Sequence, residues 1–385
     1  MFIFDEPYVS DVAINYLKES QLPVLPTDFL ASCVESGVNY VSNKEARDYI
    51  AQNDSRWIYT NSENGIKAIA ELCGTDSEIL KKVKILKNKL LFREATREIF
   101  PDIYFTEIAN QDLDKLTYAD VGQPFVIKPS VGFLSAGVYR IDNEDQWLTA
   151  KKEIRQKTLE GTKTFSKDVI DDSVFIIESV IDGTEYAIDA YFDDDNNPVI
   201  LNILEHRFNG EHDMGDRLYI TSAAIIEKLS ERVTLFLQQL GTIGDLRGFP
   251  IHAEIRIDES GGVRPIEVNP LRFAGWCSTD IAFYAYGINV YEYFMEKKIP
   301  VWEDILQGRR EHEYALVVLE KSKQLKTGQQ FDYKKLEETF ASLLALRPID
   351  YQTNPLFAFM FLAVGENNRE DLHYIQNMDP QMFVK

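Results

Sequence analysis

The chain has 385 residues, with 62 Asp and Glu against 41 Lys and Arg, for a formal net charge of −21. That acidity argues against a nucleic-acid or anionic-membrane partner, since both demand basic surface. Hydrophobic residues make up 45%, enough for the roughly two to four cores into which a chain of this length divides. Cys33, Cys73 and Cys277 are odd in number and widely spaced. They form neither a disulfide framework nor a metal pattern, which suits a reducing compartment. Cys277 reads as a buried structural thiol, because no base is paired with it in sequence. The opening MFIFDEPYVSDV lacks a basic start, and no apolar run is long enough to span a bilayer. A cytoplasmic protein is expected.

Residues 1–73 alternate strand and helix. FIF at 2–4 reads as a short buried strand, followed by a helix capped at Ser10-Asp11 and running through Lys18. Strands are expected at 22–25 and 56–60. A second helix, capped by Asn61 or Ser62, runs through Leu72 and stops at Gly74. The alternation implies a small parallel α/β layer. No dinucleotide glycine fingerprint follows the first strand and no P-loop pattern occurs, so NAD binding is not expected.

Residues 78–100 form a basic helical stretch in which Lys89 and Arg93 share one face. In PFVIKPSVGFLSAGVYRID (124–142), apolar runs at 125–127 and 138–141 flank a loop of small residues. Ser130, Gly132, Ser135, Ala136 and Gly137 let backbone N–H groups approach phosphate oxygens, and Lys128 stands beside them at the strand end. A solvated helix is expected at 142–160, a buried strand at 174–177, a linker at 179–184 and an alternating strand at 185–192. The acidic run 193–197 reads as a turn, since it lacks the internal glycine and distal Glu of a calcium loop. A strand at 199–205 leads into a polar loop, 206–219, carrying His206, Arg207, His212, Asp213, Asp216 and Arg217. Long ordered loops of this kind tend to be functional. A helix follows at 222–240.

The stretch IHAEIRIDESGGVRPIEVNPLRFAGW (251–276) carries most of the chemistry. It reads as a hairpin with arms at 251–258 and 263–269 and a Gly-Gly turn. Alternation puts Ile251, Ala253, Ile255, Ile257, Ile266 and Val268 on an apolar face. His252, Glu254, Arg256, Glu267 and Asn269 then share a polar one. Oxygens of two carboxylates and an amide facing one space suit Mg²⁺, which completes its shell with phosphates. The arginines nearby suit phosphate oxygens. A helix with many aromatics is expected at 278–297. After Glu313 the pattern is strand (314–320), helix (332–346), strand (356–364) and short helix (369–376). This reads as an α+β appendage with no catalytic constellation.

In this order and spacing, the basic helix, the Lys128 loop, the Glu178-linker-Glu185 segment and the hairpin resemble the ATP-grasp superfamily of ATP-dependent carboxylate ligases. The resemblance covers roughly residues 84–300 and is most specific at Glu178 and at Glu254, Glu267 and Asn269. It implies an α/β and α+β chain: a Rossmann-like α/β domain (1–83), an ATP-grasp domain (84–300, hinge near 178–184) and a small C-terminal α+β subdomain (301–385). It also implies ATP and Mg²⁺, with Mn²⁺ as a substitute. By position, Lys89 and Lys128 are similar to the two lysines that contact ATP phosphates. The loop bearing Ser130, Gly132, Ser135 and Gly137 would close over them. Glu178 would accept from the adenine amino group, the backbone of Ser179, Val180 and Ile181 would bond the adenine edge, and Glu185 would hold the ribose. Glu254, Glu267 and Asn269 would hold the metal. Many members place an arginine two residues after the asparagine. Here Arg272 comes one residue later, and His252 and Arg256 are alternatives for its role.

The reaction implied is attack of a substrate carboxylate on the γ-phosphate, then displacement of phosphate from the acyl-phosphate by an amine, or less often a thiol. Loop residues His206 and Arg207, directly after a strand, are the expected substrate contacts, with Arg207 meeting a carboxylate. The partners implied are small-molecule carboxylate and amine substrates, with a homodimer compatible. A nucleotide-binding module without turnover is the alternative class. A biotin-dependent carboxylase is disfavoured by the lack of a recognisable second module.

Overall fold

The computed structural model describes residues 1–131, 137–160, 171–210, 215–321, 325 and 328–385. Near the N-terminus, β1 (Phe2–Ile3) and β2 (Tyr59–Thr60) pair in parallel, with Phe2 opposite Tyr59. The segment expected as a strand at 22–25 contributes only bridges, from Val24 to Phe2 and Tyr40. Pro23 and Pro26 bracket it and remove two ladder donors. Helix Asp11–Ser20 starts where the Ser10 hydroxyl accepts from the Ala13 amide. Helix Glu63–Cys73 ends at Gly74. This layer is tied to the rest of the chain. The Thr60 amide donates to the Leu271 carbonyl at 2.8 Å, and Phe4 and Tyr59 pack edge-on against Tyr291.

The basic stretch expected as one helix is two, Glu78–Lys87 and Lys89–Ala95. Asn88 breaks it by taking extended backbone and accepting from the Leu91 amide through its side chain, as an N-cap does.

A four-stranded antiparallel sheet follows. It is built from β3 (Phe105–Ala109), β4 (Phe125–Val131), β5 (Tyr139–Ile141) and β6 (Asp171–Ser179), in the order β3-β6-β4-β5. Helix Glu144–Glu160 lays Trp147, Ala150 and Ile154 on Phe125, Ile127 and Ile177, a hydrophobic cluster separate from the main core.

The main sheet has eight strands: β7 (Thr184–Phe192), β8 (Pro198–His206), β9 (Leu218–Ser222), β10 (Phe249–Ile257), β11 (Val263–Pro270), β12 (Glu313–Glu320), β13 (Leu343–Pro348) and β14 (Leu356–Val364). Their order is β11-β10-β7-β8-β9-β12-β14-β13, every neighbour antiparallel. Helix Ala223–Gly241 covers this sheet with Ile226, Leu229, Val233, Phe236 and Leu240, a stripe at helical spacing. The C-terminal α+β elements thus extend the central sheet through β12–β14.

Two helices expected from the sequence are shorter than predicted. The one placed at 332–346 ends at Thr339, and Leu343–Pro348 pairs with β14 instead. Leu and Ala favour a helix there, but a free sheet edge outweighs that weak preference. The one placed at 278–297 is interrupted by Gly287 (φ +73) and restarts under an Asn289 cap. Before it, Trp276 (φ 57, ψ 23) and Cys277 (φ 53, ψ 26) are consecutive left-handed non-glycine residues. Each such residue costs about 1–2 kcal/mol.

Candidate active site

A cavity of about 970 Å³ lies between the two sheets. β4 and β6 line one side, and the 179–183 linker closes one end. β7, β8, β10, β11 and β12 line the other side. On that side, residues opposite one another across the ladder share a face. Glu254 stands opposite both Glu267 and Ala187, His252 opposite Asp189 and Asn269, and Arg256 opposite Glu185. Continuing outward, His206 faces Tyr219 and Tyr219 faces Leu316.

The deepest group is a knot around Glu178. Its carboxylate accepts from Lys128 Nζ at 2.5 Å and Arg93 Nε at 2.8 Å, and all three side chains are almost fully buried. Burial works against the charge on Glu178, but Lys128 and Arg93 outweigh it and hold the carboxyl down at about 2. Arg93 also donates to the Ile266 carbonyl at 3.3 Å.

The hairpin forms the second group. Lys89 Nζ lies 3.0 Å from Glu267 Oε2, and the Asn269 amide donates to Glu267 Oε1 at 3.1 Å. Glu267 is held well below the usual carboxylate range: Lys89, Lys128 and Asn269 overcome the opposing effect of burial. Glu254 is pushed up, first by burial and then by the charge of Glu267. A β-bulge between Glu254 and Ile255 sets Pro265 opposite Ile255. Ile266, expected on the apolar face, is the extra residue and lines the cavity instead. Among the described residues, no three or more His, Cys, Asp or Glu side chains gather into a metal cage. The oxygens present are two facing carboxylates and one amide, a partial set that suits a hard cation completing its shell elsewhere.

Glu185 anchors the third group. His206 Nδ1 lies 2.8 Å from its Oε1, and Arg256 reaches its Oε2 through Nε and Nη2 at 3.1 Å each. Arg256 Nη1 also donates to the Ile181 carbonyl at 2.8 Å, which fixes the linker. Burial lowers the basicity of His206, but Glu185 more than compensates and the net shift is upward. Its ring stacks on Tyr219 with centroids 4.2 Å apart. In the linker itself, Gly183 has φ +115, and a Cβ there would come within 2.4 Å of the Ile257 carbonyl oxygen. Glycine is required.

Asp189 organises the fourth. It is fully buried; its Oδ1 accepts from the Ala274 amide and faces His252 Nδ1, both at 2.8 Å, and its Oδ2 accepts from the Thr279 hydroxyl at 2.7 Å. Burial disfavours the charged form of His252, but its contacts with Asp189 and Glu254 raise it to about 9. The segment after Ala274 is held from the C-terminal side. Arg347 on β13 donates from Nη1 to the Trp276 and Cys277 carbonyls, both at 3.0 Å, and from Nη2 to Asp280 at 2.6 Å. Those bonds secure the two left-handed residues. Cys277 is buried, and burial pushes its thiol up to about 11.

The structure gathers most of the predicted residues. Lys89, Lys128, Glu178, the 179–181 linker and Glu185 line the same cavity as His206, His252, Glu254, Arg256, Glu267, Asn269 and Arg272. The displaced arginine still arrives: Leu271 takes φ +61 after Pro270, and Arg272 sits at the cavity with Nε 3.6 Å from Glu63 of the N-terminal layer. Ser130 is buried on β4, and Gly137 has φ +77. Gly132 and Ser135, like His212 and Asp213, fall outside the described residues.

Arg207 differs from the expectation. Its guanidinium bridges Glu205 at 2.9 Å and Glu313 at 3.0 Å, and it is not among the cavity residues. It follows His206 by one, and strand alternation turns it to the other face. Sequence reasoning left out Arg93, Asp189 and the lining from the C-terminal strands. The first two left a trace, in the helix face shared with Lys89 and in the 185-187-189 alternation.

Residues 121–280 match the model of the ATP-grasp domain family. Among curated proteins, none matches the sequence. Among solved structures, an L-amino acid ligase from Bacillus licheniformis is similar at 16% identity, with a TM-score of 0.65 over 100% of this chain and 97% of that one. An N5-carboxyaminoimidazole ribonucleotide synthetase from Thermotoga maritima gives 15% identity and 0.61 over 100% and 98%. The biotin carboxylase domain of a Hydrogenobacter thermophilus 2-oxoglutarate carboxylase, in complex with MgADP and bicarbonate, gives 13% and 0.60 over 94% and 86%. These identities speak for the fold alone. The family match runs from just before β4, which carries Lys128, to the residues after the carboxylate hairpin, so this segment of the chain is similar to the ATP-grasp domain family.

Proposed function

We propose that this chain is an ATP-dependent carboxylate–amine ligase, which activates a carboxylate as its acyl-phosphate and releases ADP and phosphate. The observation that carries the reading is the pairing of Glu254 with Glu267 directly across the hairpin, beside Asn269 and Lys89, in a cavity that also holds Lys128. Glu254, Glu267 and Asn269 would hold Mg²⁺, which supplies positive charge to the phosphates. Lys89 and Lys128 would meet phosphate oxygens, the backbone at 179–181 the adenine edge, and Glu185 the ribose hydroxyls. Arg272, Arg256 and the protonated His252 would bring positive charge to the acyl-phosphate. In-line phosphoryl transfer needs this kind of positioning and charge neutralisation more than a protein nucleophile. An oxygen of the substrate carboxylate bonds to the γ-phosphorus as the bond to the ADP oxygen breaks. The amine nitrogen then bonds to the acyl carbon as phosphate leaves. The fold shared with an L-amino acid ligase and with an MgADP-bound carboxylase domain supports the reading.

The test is ADP release with amino acids supplied as carboxylate and amine. Substrate-stimulated ADP that disappears in Glu267→Gln is expected. Near-normal turnover in that variant would remove the metal assignment. A nucleotide-induced thermal shift with no substrate-stimulated ADP would make the chain a binding module.

A further inference from the structure

One face of the eight-stranded sheet changes character from end to end. At the β11–β10–β7 end it carries Glu267, Glu254, Arg256 and Glu185. In the middle stand His206 and Tyr219, stacked on each other. Beyond them the ladder continues through Leu316, opposite Tyr219, to Val318, opposite Phe359. Trp276 closes over this end, its ring 6.1 Å from that of Phe359. Leu316, Val318, Phe359 and Trp276 all line the cavity that holds the carboxylate pair.

The apolar end also has a charged neighbour in a defined place. Arg272 Nη1 lies 3.7 Å from where a Gly275 Cβ would stand, immediately before Trp276. A carboxylate at Arg272 would therefore have its own side chain beside the apolar wall. From this we infer that the wall formed by Trp276, Leu316, Val318 and Phe359 selects the carboxylate substrate by its side chain, and that the side chain is hydrocarbon or aromatic. The inference rests on the ligase reading for the identity of the bound group as a substrate carboxylate. An acidic side chain at the wall would lose water and meet another carboxylate, Glu320 of β12, rather than a partner. An apolar one gains by leaving water, and a pocket of this type discriminates by size as well as polarity.

The wall is tested by binding, apart from turnover. Calorimetry with a non-hydrolysable ATP analogue and Mg²⁺ present measures L-leucine, L-methionine and L-phenylalanine against L-aspartate and L-glutamate. The apolar acids are expected to bind at least about tenfold more tightly. Val318→Asp should abolish that preference while leaving affinity for the ATP analogue unchanged. Val318→Ala, a milder change, should shift the ranking towards phenylalanine over leucine. Equal binding of charged and apolar acids, binding of none of the apolar acids, or an unchanged ranking in both variants overturns the wall. Turnover is read separately by trapping the acyl-phosphate with hydroxylamine as a hydroxamate. Preferential binding of apolar acids with neither hydroxamate nor ADP would uphold the wall and overturn the ligase reading.

Discussion

Two carboxylate settings in the same cavity behave in opposite ways. Glu178 is closed: Lys128 and Arg93 take one oxygen each, and all three side chains are buried together. Glu254 and Glu267 face each other across a ladder, and their side chains keep 30% and 25% of their surface open. One of the two is pushed up by burial and then by its neighbour, while the other is held down. A neutralised, buried carboxylate is a structural joint. Two facing carboxylates that share an opening suit a cation that arrives from outside. The difference separates residues whose loss should unfold the protein from residues whose loss should only silence it.

The sharpest way to break that contrast is Glu267→Gln. It should remove ADP formation altogether, a loss of about a thousandfold or more for a group aimed at phosphate charge. The melting temperature of the metal-free protein should fall only modestly, because the lost pair with Lys89 is partly offset by relief of the like-charge contact with Glu254. A large drop in melting temperature would place Glu267 in the structural class.

Lys128→Ala should behave in the other way. It takes one of the two cations from Glu178 and leaves the Arg93 pair in place, so the cost is that of one buried charge-assisted hydrogen bond, about 1.5–3 kcal/mol. Urea unfolding should register that loss, alongside ATP binding weakened by about one to two orders of magnitude. Wild-type stability with weakened ATP binding would mean that the knot serves the nucleotide alone.

The joint also has a pH signature. The Glu178 carboxyl titrates near 4.5 when exposed and at about 2 in the fold. Its contribution to stability is full above pH 4.5 and is lost as pH falls towards 2. At most it amounts to about 3 kcal/mol. Urea midpoints measured across that window should fall more steeply for the wild type than for Glu178→Gln. Parallel curves would deny Glu178 its low value.

The smallest effect belongs to Arg207→Ala. Its half-exposed bridges to Glu205 and Glu313 contribute at most about 1 kcal/mol. ATP affinity and the KM for the carboxylate should both stay unchanged. A raised KM would return Arg207 to the cavity.

Much of this site was legible because strands have a period of two. Alternation alone put His252, Glu254 and Arg256 on one face, and the same rule applied at 205–207 separates His206 from Arg207. The bulge that turns Ile266 into the cavity was hidden, since it depends on how two arms slip past each other. Arg93 looked like any cation on a basic helix, and its burial comes from β6, some 85 residues away in sequence. The run LLALRP at 343–348 is locally helical in taste, and only the edge of β14 makes it a strand. The joining of β12 to β9 is a long-range register that no local pattern carries.

Arg347 gives the protein an order in time. It reaches back to the carbonyls of Trp276 and Cys277, to Asp280, and to the faces of Tyr8 and Phe361. A chain emerging from the ribosome can pair the carboxylate hairpin as soon as residue 270 is out. It cannot lock the left-handed turn at 276–277 until some seventy more residues follow. The carboxylate end of the cavity is therefore born first, and the apolar end beside Trp276 is finished only when the last strands dock.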